Sequence, residues 1–214
     1  MTISVFLVDD HRVLRDGLRI LLDTQDDIEV IGEAEDGNRA IKGINSKRPD
    51  VVVMDITMPE LNGIDAAQVI HETLPEVGIV ILSIHSDLEH IFRALQAGAQ
   101  GYLLKESAGS EVISAVRAVY LGRRYLSPSI RDLVMEAYLN NRQIQSPLEL
   151  LSMREREVLQ LTVEGSSSAA IAERMNLSPK TIETYRSRLM GKLGVHDLTE
   201  LVRFAIKHGI TPID

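Results

Sequence analysis

The sequence predicts an α/β doubly wound domain followed by an all-α domain. Three observations carry this reading. Short β-branched runs alternate strictly with amphipathic stretches over the first half of the chain. After Gly122 the strand signals stop and helix start and stop signals take over. The formal net charge of −8 lies wholly in residues 1–125, with 20 acidic and 12 basic residues, whereas 126–214 carries 11 of each. Such asymmetry implies that the two parts meet different partners.

The strand candidates are residues 3–8, 29–33, 51–54, 79–82 and 101–104. Several are continuous apolar runs, as expected of parallel strands covered on both faces. Between and after them lie amphipathic stretches at 12–22, 38–45, 63–72, 87–97 and 109–121, punctuated by Gly32, Gly37, Pro49, Gly63, Pro75, Gly78 and Gly98. Five strands and five helices give a first domain over 1–122. Ser127-Pro128 opens a helical stretch to Asn140, and the pattern is then lost through Gln143, so 123–147 reads as a partly helical linker. The second domain spans 148–214. Ser152 and Glu155 form a capping box before Val158 and Leu159. Ser168 begins a short helix to Asn176, and Ser178-Pro179 starts another that Gly194 stops. Asp197 and Glu200 form a second capping box for a last helix ending at Gly209.

Composition bounds the chemistry. At 44% hydrophobic and 25% charged the chain is globular, and with 4% aromatics and no Trp its core is aliphatic. The lack of Cys excludes disulfides, thiolate nucleophiles and cysteine metal sites. The first residues lack a basic, then apolar, secretory pattern. No window reaches the ~18 apolar residues of a membrane span. The expected location is cytoplasmic, with no membrane partner.

Asp9 and Asp10 follow the first strand and Asp55 ends the third. If the strand order is 2-1-3-4-5, strands one and three are neighbours at the point where the order reverses, and ligands bind there beyond the carboxyl ends. Three carboxylates brought together need a cation, and a hard divalent ion such as Mg²⁺ fits. Ser83 and Lys105 end strands four and five at the same edge, offering a hydroxyl and a cation for a transferring phosphoryl group. A carboxylate nucleophile needs no general base. Taken singly, an Asp at a strand end is more often a helix cap, and Lys105 a surface lysine.

The joint pattern resembles a response-regulator receiver domain. It is carried by Val8-Asp9-Asp10-His11, Met54-Asp55-Ile56-Thr57-Met58-Pro59 with Gly63, Ser83, and Gly101-Tyr102-Leu103-Leu104-Lys105. The resemblance covers about 1–122 and implies a flavodoxin-like (βα)5 fold. It implies that Asp55 is the phosphoacceptor, and that Asp10, Asp9, Asp55 and the backbone of Thr57 hold Mg²⁺. Ser83 and Lys105 match the switch hydroxyl and lysine, and Tyr102 the aromatic that turns inward when the hydroxyl moves. Glu106 stands where the family usually has Pro.

The helix from Ser178 carries Lys180, Arg186, Arg188 and Lys192 against one acid, Glu183. With the helix before it, this is a helix-turn-helix whose second helix enters the major groove of double-stranded DNA. Thr181, Glu183, Thr184 and Ser187 would face base edges and the basic residues phosphates. A mildly basic helix face is commonly just solvated surface. The motifs from Leu151 to Leu159, Gly165, Ile171-Ala172, Leu177 to Ile182 and Lys192 to Val195 resemble the LuxR-type DNA-binding domain, over about 148–208. Together the two resemblances point to the NarL/FixJ subfamily. They imply a sensor histidine kinase as phosphodonor, dimerisation when phosphorylated, and RNA polymerase as a further partner. They also imply no enzyme activity beyond the receiver's own phosphoryl transfer and autodephosphorylation. Ser167-Ser168-Ala169-Ala170 departs from the family's common Ser-Asn-Lys-Glu, and Tyr185 stands where His is common, so a monomer is expected to bind DNA weakly. The last helix often pairs two such domains, which points to Leu198, Val202 and Ala205, a face that serves equally as core. A haloacid-dehalogenase-like phosphatase also uses an Asp nucleophile, but needs D-x-D after its first strand. An atypical regulator that ignores phosphorylation is opposed by the complete acidic set, and a pure adaptor by the C-terminal motifs. The six histidines show no ligand spacing along the chain and are assigned to neither metal nor catalysis.

Overall fold

A computed structural model describes residues 2–140 and 146–211. Five parallel strands, β1 (Ile3–Val8), β2 (Ile28–Ala34), β3 (Val51–Asp55), β4 (Gly78–Ser83) and β5 (Gly101–Leu104), alternate with α1 (Arg12–Asp23), α2 (Gly37–Lys47), α3 (Gly63–Thr73), α4 (Leu88–Gln96) and α5 (Ala108–Tyr120). The strand order is 2-1-3-4-5, as expected, with a sixth strand, β6 (Tyr125–Leu126), added parallel to β5. The sequence reading contained no β6. Two residues are too few to show a period, and the strand exists because Tyr125 N–H and Ser127 N–H reach the carbonyls of Gln100 and Tyr102.

Alternation along each strand divides the core. Val5, Leu7, Val51, Val53, Val80, Leu82 and Leu103 pack with α1 and α5. Phe6, Val8, Val52, Met54, Ile79, Ile81, Tyr102 and Leu104 pack with α2, α3 and α4 on the other face. Ile130 of α6 (Pro128–Leu139) joins this second cluster, so the stretch beyond 122 is partly packed on the sheet domain. The expected loss of pattern through 143 falls largely outside the described residues.

The remaining helices are α7 (Met153–Val163), α8 (Ser168–Met175), α9 (Pro179–Leu193) and α10 (Leu198–Lys207). Ser152 and Glu155 close the capping box at α7. The second box closes on one side only. Asp197 accepts from Glu200 N–H, but the Glu200 carboxylate accepts from His196 N–H, one residue earlier than the cap. The α8–α9 turn is made by Asn176 in the left-handed region (φ 54°), followed by the Ser178 cap and Pro179, and Gly194 (φ 67°) ends α9. Leu201 and Ala205 of α10 lie in the helical domain's own core with Leu159, Ile182 and Leu189. Of the two roles left open for this face, Ala205 takes the core one, whereas Leu198 is 51% exposed and faces outward.

The two domains meet along a polar seam. Arg156 of α7 pairs with Asp65 of α3 (2.7 Å) and donates to Gln68. The Gln160 amide donates to the Met58 carbonyl (2.8 Å) and accepts from Asn62 N–H (2.9 Å), and Glu164 accepts from Glu60 N–H (2.9 Å). Arg174 pairs with Glu60. At the far end Arg93 donates to the His208 carbonyl (2.8 Å), and the His208 imidazole meets Glu89 at 2.7 Å.

Candidate functional site

The β1 and β3 ends deliver the acidic residues to one crevice. Asp9, Asp10, His11 and Asp55 each offer a ligand atom, all within 4.8 Å of one another. Lys105, at the end of β5, places Nζ 2.7 Å from Asp55 Oδ2 and 2.9 Å from Asp9 Oδ2. Gly63 is needed here for space, because a Cβ would lie 1.8 Å from the Asp55 carbonyl oxygen. Its N–H closes the loop after β3 on the Ile56 carbonyl.

Burial raises the Asp55 carboxyl to about 7; Lys105 opposes the rise, and the charges of Asp9 and Asp10 add to it. Lys105 is itself raised, since attraction to Asp55 and Asp9 outweighs the desolvation that would lower it. Asp9 Oδ2 and Asp10 Oδ1 are buried without a well-formed hydrogen bond, although Lys105 Nζ and His11 Nδ1 stand 2.9 and 2.7 Å away. Clustered carboxylates with lone pairs left over fit a hard divalent ion with oxygen ligands. Thr57 lies on the rim, its hydroxyl 3.3 Å from His85 Nε2.

Ser83 and Tyr102 lie behind the pocket. Ser83 is buried and its Oγ accepts from His85 N–H (2.9 Å). Tyr102 is fully buried in the inward position, and its hydroxyl donates to the His85 carbonyl (2.8 Å). Both therefore converge on His85.

On α9, Lys180, Glu183, Thr184, Ser187, Arg188 and Lys192 are exposed, and Thr181 and Arg186 half-buried. The domain seam uses α7, α8 and the end of α10, and leaves this face clear. Ile182 and Leu189 anchor α9 in the core.

The bacterial LuxR-family regulatory domain matches residues 149–205, and the response regulator receiver domain residues 5–117. The response regulator UvrY of Escherichia coli K12 is 38% identical over 208 residues, covering 97% of this chain and 95% of that protein. The chain belongs to the response regulators, in the NarL/FixJ subfamily. This response regulator is also 37% identical to the oxygen regulatory protein NreC of Staphylococcus carnosus over 210 residues, 95% of this chain and 97% of that one. Among solved structures it resembles the RcsB–DNA complex (TM-score 0.60, 26% identity, 97% of this chain and 99% of that one).

The structure adds to the site reading and qualifies it. His11, given no role in sequence, stands in the acidic cluster of the regulator. Its position directly after Asp9-Asp10 was the available signal. Lys192 Nζ is held by Glu155 Oε2 at 2.7 Å, so it braces α9 against the α7 capping box and is not a free phosphate ligand in this arrangement. Arg186 donates to Ser168 (2.9 Å), which in turn donates to Glu183. Lys180, Ser187 and Arg188 have no side-chain hydrogen bond to another described residue.

Proposed function

We propose that Asp55 accepts a phosphoryl group from a sensor histidine kinase and that the phosphorylated chain binds double-stranded DNA as a dimer to regulate transcription. One observation carries this reading: Asp55, Asp9 and Asp10 converge within ligand distance, with Lys105 at 2.7 Å from the acceptor oxygen. Asp9, Asp10, Asp55 and the Thr57 carbonyl would hold Mg²⁺, which supplies charge neutralisation of the phosphoryl oxygens when bound. An Asp55 carboxylate oxygen forms the new P–O bond as the P–N bond of the kinase's phosphohistidine breaks, and the departing imidazole takes up a proton. Lys105 meets the charge on the transferring group. Ser83 then leaves His85 N–H for a phosphoryl oxygen, and Tyr102 keeps the space behind it filled. Later attack by water on phosphorus breaks that P–O bond, releases inorganic phosphate and returns the carboxylate, the receiver's own turnover. On DNA, Thr181, Glu183, Thr184 and Ser187 face base edges, with Lys180, Arg186 and Arg188 on phosphates. Lys192 joins them after release from Glu155. The exposed Leu198 side of α10 supplies the pairing face, and RNA polymerase is the partner at the promoter. All of this takes place in the cytoplasm.

The test is labelling with a small-molecule phosphodonor and Mg²⁺. Wild type should take up an acid-stable, hydroxylamine-labile phosphoryl group, and Asp55→Asn should take up none. Undiminished labelling of Asp55→Asn would remove the reading.

A further inference from the structure

Arg93 of α4 is a buried cation without a counter-ion. It is 7% exposed, and its one side-chain hydrogen bond among the described residues is the Nη1 donation to the His208 carbonyl (2.8 Å). No carboxylate oxygen of a described residue lies within 4.0 Å of it. The acids around it are committed elsewhere. Asp65 accepts from Arg156 Nε (2.7 Å) through one oxygen and from the Asn62 amide (2.9 Å) through the other. Glu89 accepts from the Ser146 hydroxyl (2.6 Å) and meets His208 Nδ1 (2.7 Å). Asp87 meets Nδ1 of His90 (2.7 Å), whose ring stacks on that of His85. Buried charges are ordinarily paired, because a lone one bears the full cost of leaving water. A guanidinium cannot escape that cost by releasing its proton. Burial lowers the Arg93 pKa, and the charges of Asp65 and Glu89 do not restore it.

Arg93 lines a cavity of about 160 Å³ at the domain seam. Ile64, Ala97 and Leu148 give the cavity apolar walls, and Gln96 adds an amide with no hydrogen-bond partner among the described residues. The other cation there, Arg156, is already engaged by Asp65, Gln68 and the Leu151 carbonyl. Of the two acids in the lining, Asp65 is paired and Glu149 is exposed to water. The space is smaller than the ~300 Å³ at which pockets for drug-sized ligands begin, so its occupant has few atoms.

We propose that this cavity binds one small monocarboxylate, with its two oxygens on the Arg93 guanidinium and its short alkyl end against Ile64, Ala97 and Leu148. With Nη1 on the His208 carbonyl, Nε and Nη2 remain, the pair of donors that bonds both oxygens of one carboxylate side on. A single uncompensated cation calls for a single negative charge, and a second one would face Asp65 and Glu149. One wall of the site belongs to α3 and α4, the other to α7 and the segment just before it, so the site is whole only when the domains are packed. Occupancy therefore favours the packed state, because a ligand stabilises the form that binds it. The chain thus has a small-molecule input that acts on domain contact and is separate from the carboxylate pocket.

The test is an NMR titration of the ¹⁵N-labelled full chain with sodium propionate, set against sodium sulfate and sodium chloride at matched ionic strength. EDTA keeps metal, and anions that follow it, out of the carboxylate pocket. Propionate should give saturable shifts at the Arg93 Nε–H and at the amides of Gln96, Ala97 and Leu148, and sulfate should bind more weakly. Arg93→Gln should weaken propionate binding by about 10–100-fold, and Arg93→Lys, which keeps the charge without the fork, should weaken it nearly as much. Because Arg93 is buried and its variants need not fold, unmodified protein supplies the deciding readout. Arg156→Ala with Gln160→Ala, which opens the seam and leaves Arg93 in place, should lose propionate binding. The proposal is overturned if wild type shows no saturable shift, if the shifts are confined to α9 or to Lys105, if sulfate or chloride moves the same resonances as strongly, or if folded Arg93→Gln binds as wild type does. Undiminished binding with the domains separated overturns the link to domain packing. These results are independent of phosphodonor labelling at Asp55.

Discussion

Asp55 is a carboxyl that resists ionisation at the position proposed to act as a nucleophile. It lies near 7 in the folded chain, against about 3.9 in an unfolded one. Between those values the folded state holds a proton that the unfolded state has shed, so stability falls as pH rises from ~4 to ~7. In chelating buffer at pH 8, Asp55→Asn should therefore melt about 3–6 °C above the parent, with the gap narrowing as pH is lowered toward 4. A pH-independent gap in thermal melts would remove the ionisation argument. Gly63 poses a steric demand at the same site. Gly63→Ala sets a Cβ 1.8 Å from the Asp55 carbonyl oxygen, and backbone cannot yield as a flexible side chain does. The expected cost is at least about 1–3 kcal/mol, read as a lower denaturation midpoint. Both residues were legible in the sequence as punctuation and charge. Neither the raised carboxyl nor the contact was, because each depends on neighbours 8 to 50 positions away.

At the scale of elements, α9 divides into free and engaged cations. Arg188 has no described partner, whereas Lys192 is bound to Glu155 inside the α7 capping box. Arg188→Ala should weaken DNA binding about equally on all sequences and reduce the salt slope by about 1, with thermal stability unchanged. Lys192→Ala should also lower stability, by about 1–2 kcal/mol, since it leaves the buried Glu155 carboxylate with one partner fewer. Fluorescence anisotropy over a salt series, paired with melts, separates the two. Equal melting temperatures would show that the brace carries no load. Helix positions were readable because caps and breakers are local: Ser152, Ser178-Pro179 and Gly194 act within one turn. The second capping box was misread by one residue, since local spacing does not show which N–H a flexible glutamate reaches. The tiny β6 was missed because it has no pattern of its own.

For the molecule as a whole, the seam joins α7 to the loop that carries Thr57 and follows Asp55. Gln160 is 1% exposed and holds that loop by its main chain at Met58 and Asn62. Arg156→Ala with Gln160→Ala should release the domains, seen as an increased radius of gyration in small-angle X-ray scattering. An unchanged radius would mean that the Arg174–Glu60, Arg93–His208 and His208–Glu89 contacts suffice. The exposed face of α9 is open in this packed state, so the seam bears on the loop after Asp55 and on the end of α10 rather than on that face.

Local periodicity, caps and strand-end carboxylates are properties of neighbouring residues, and from them the sequence by itself determined an alternating α/β domain, a helical domain and an acidic edge centred on Asp55, with the 2-1-3-4-5 order implied by the receiver resemblance. Tertiary structure alone decided what joins positions about 90 to 120 residues apart: the Arg156–Asp65 and His208–Glu89 pairs, and Gly209 over the His85–His90 stack. Polar side chains on a helix look alike in sequence whether water or another domain faces them, because burial and pairing are fixed only when the two domains come together.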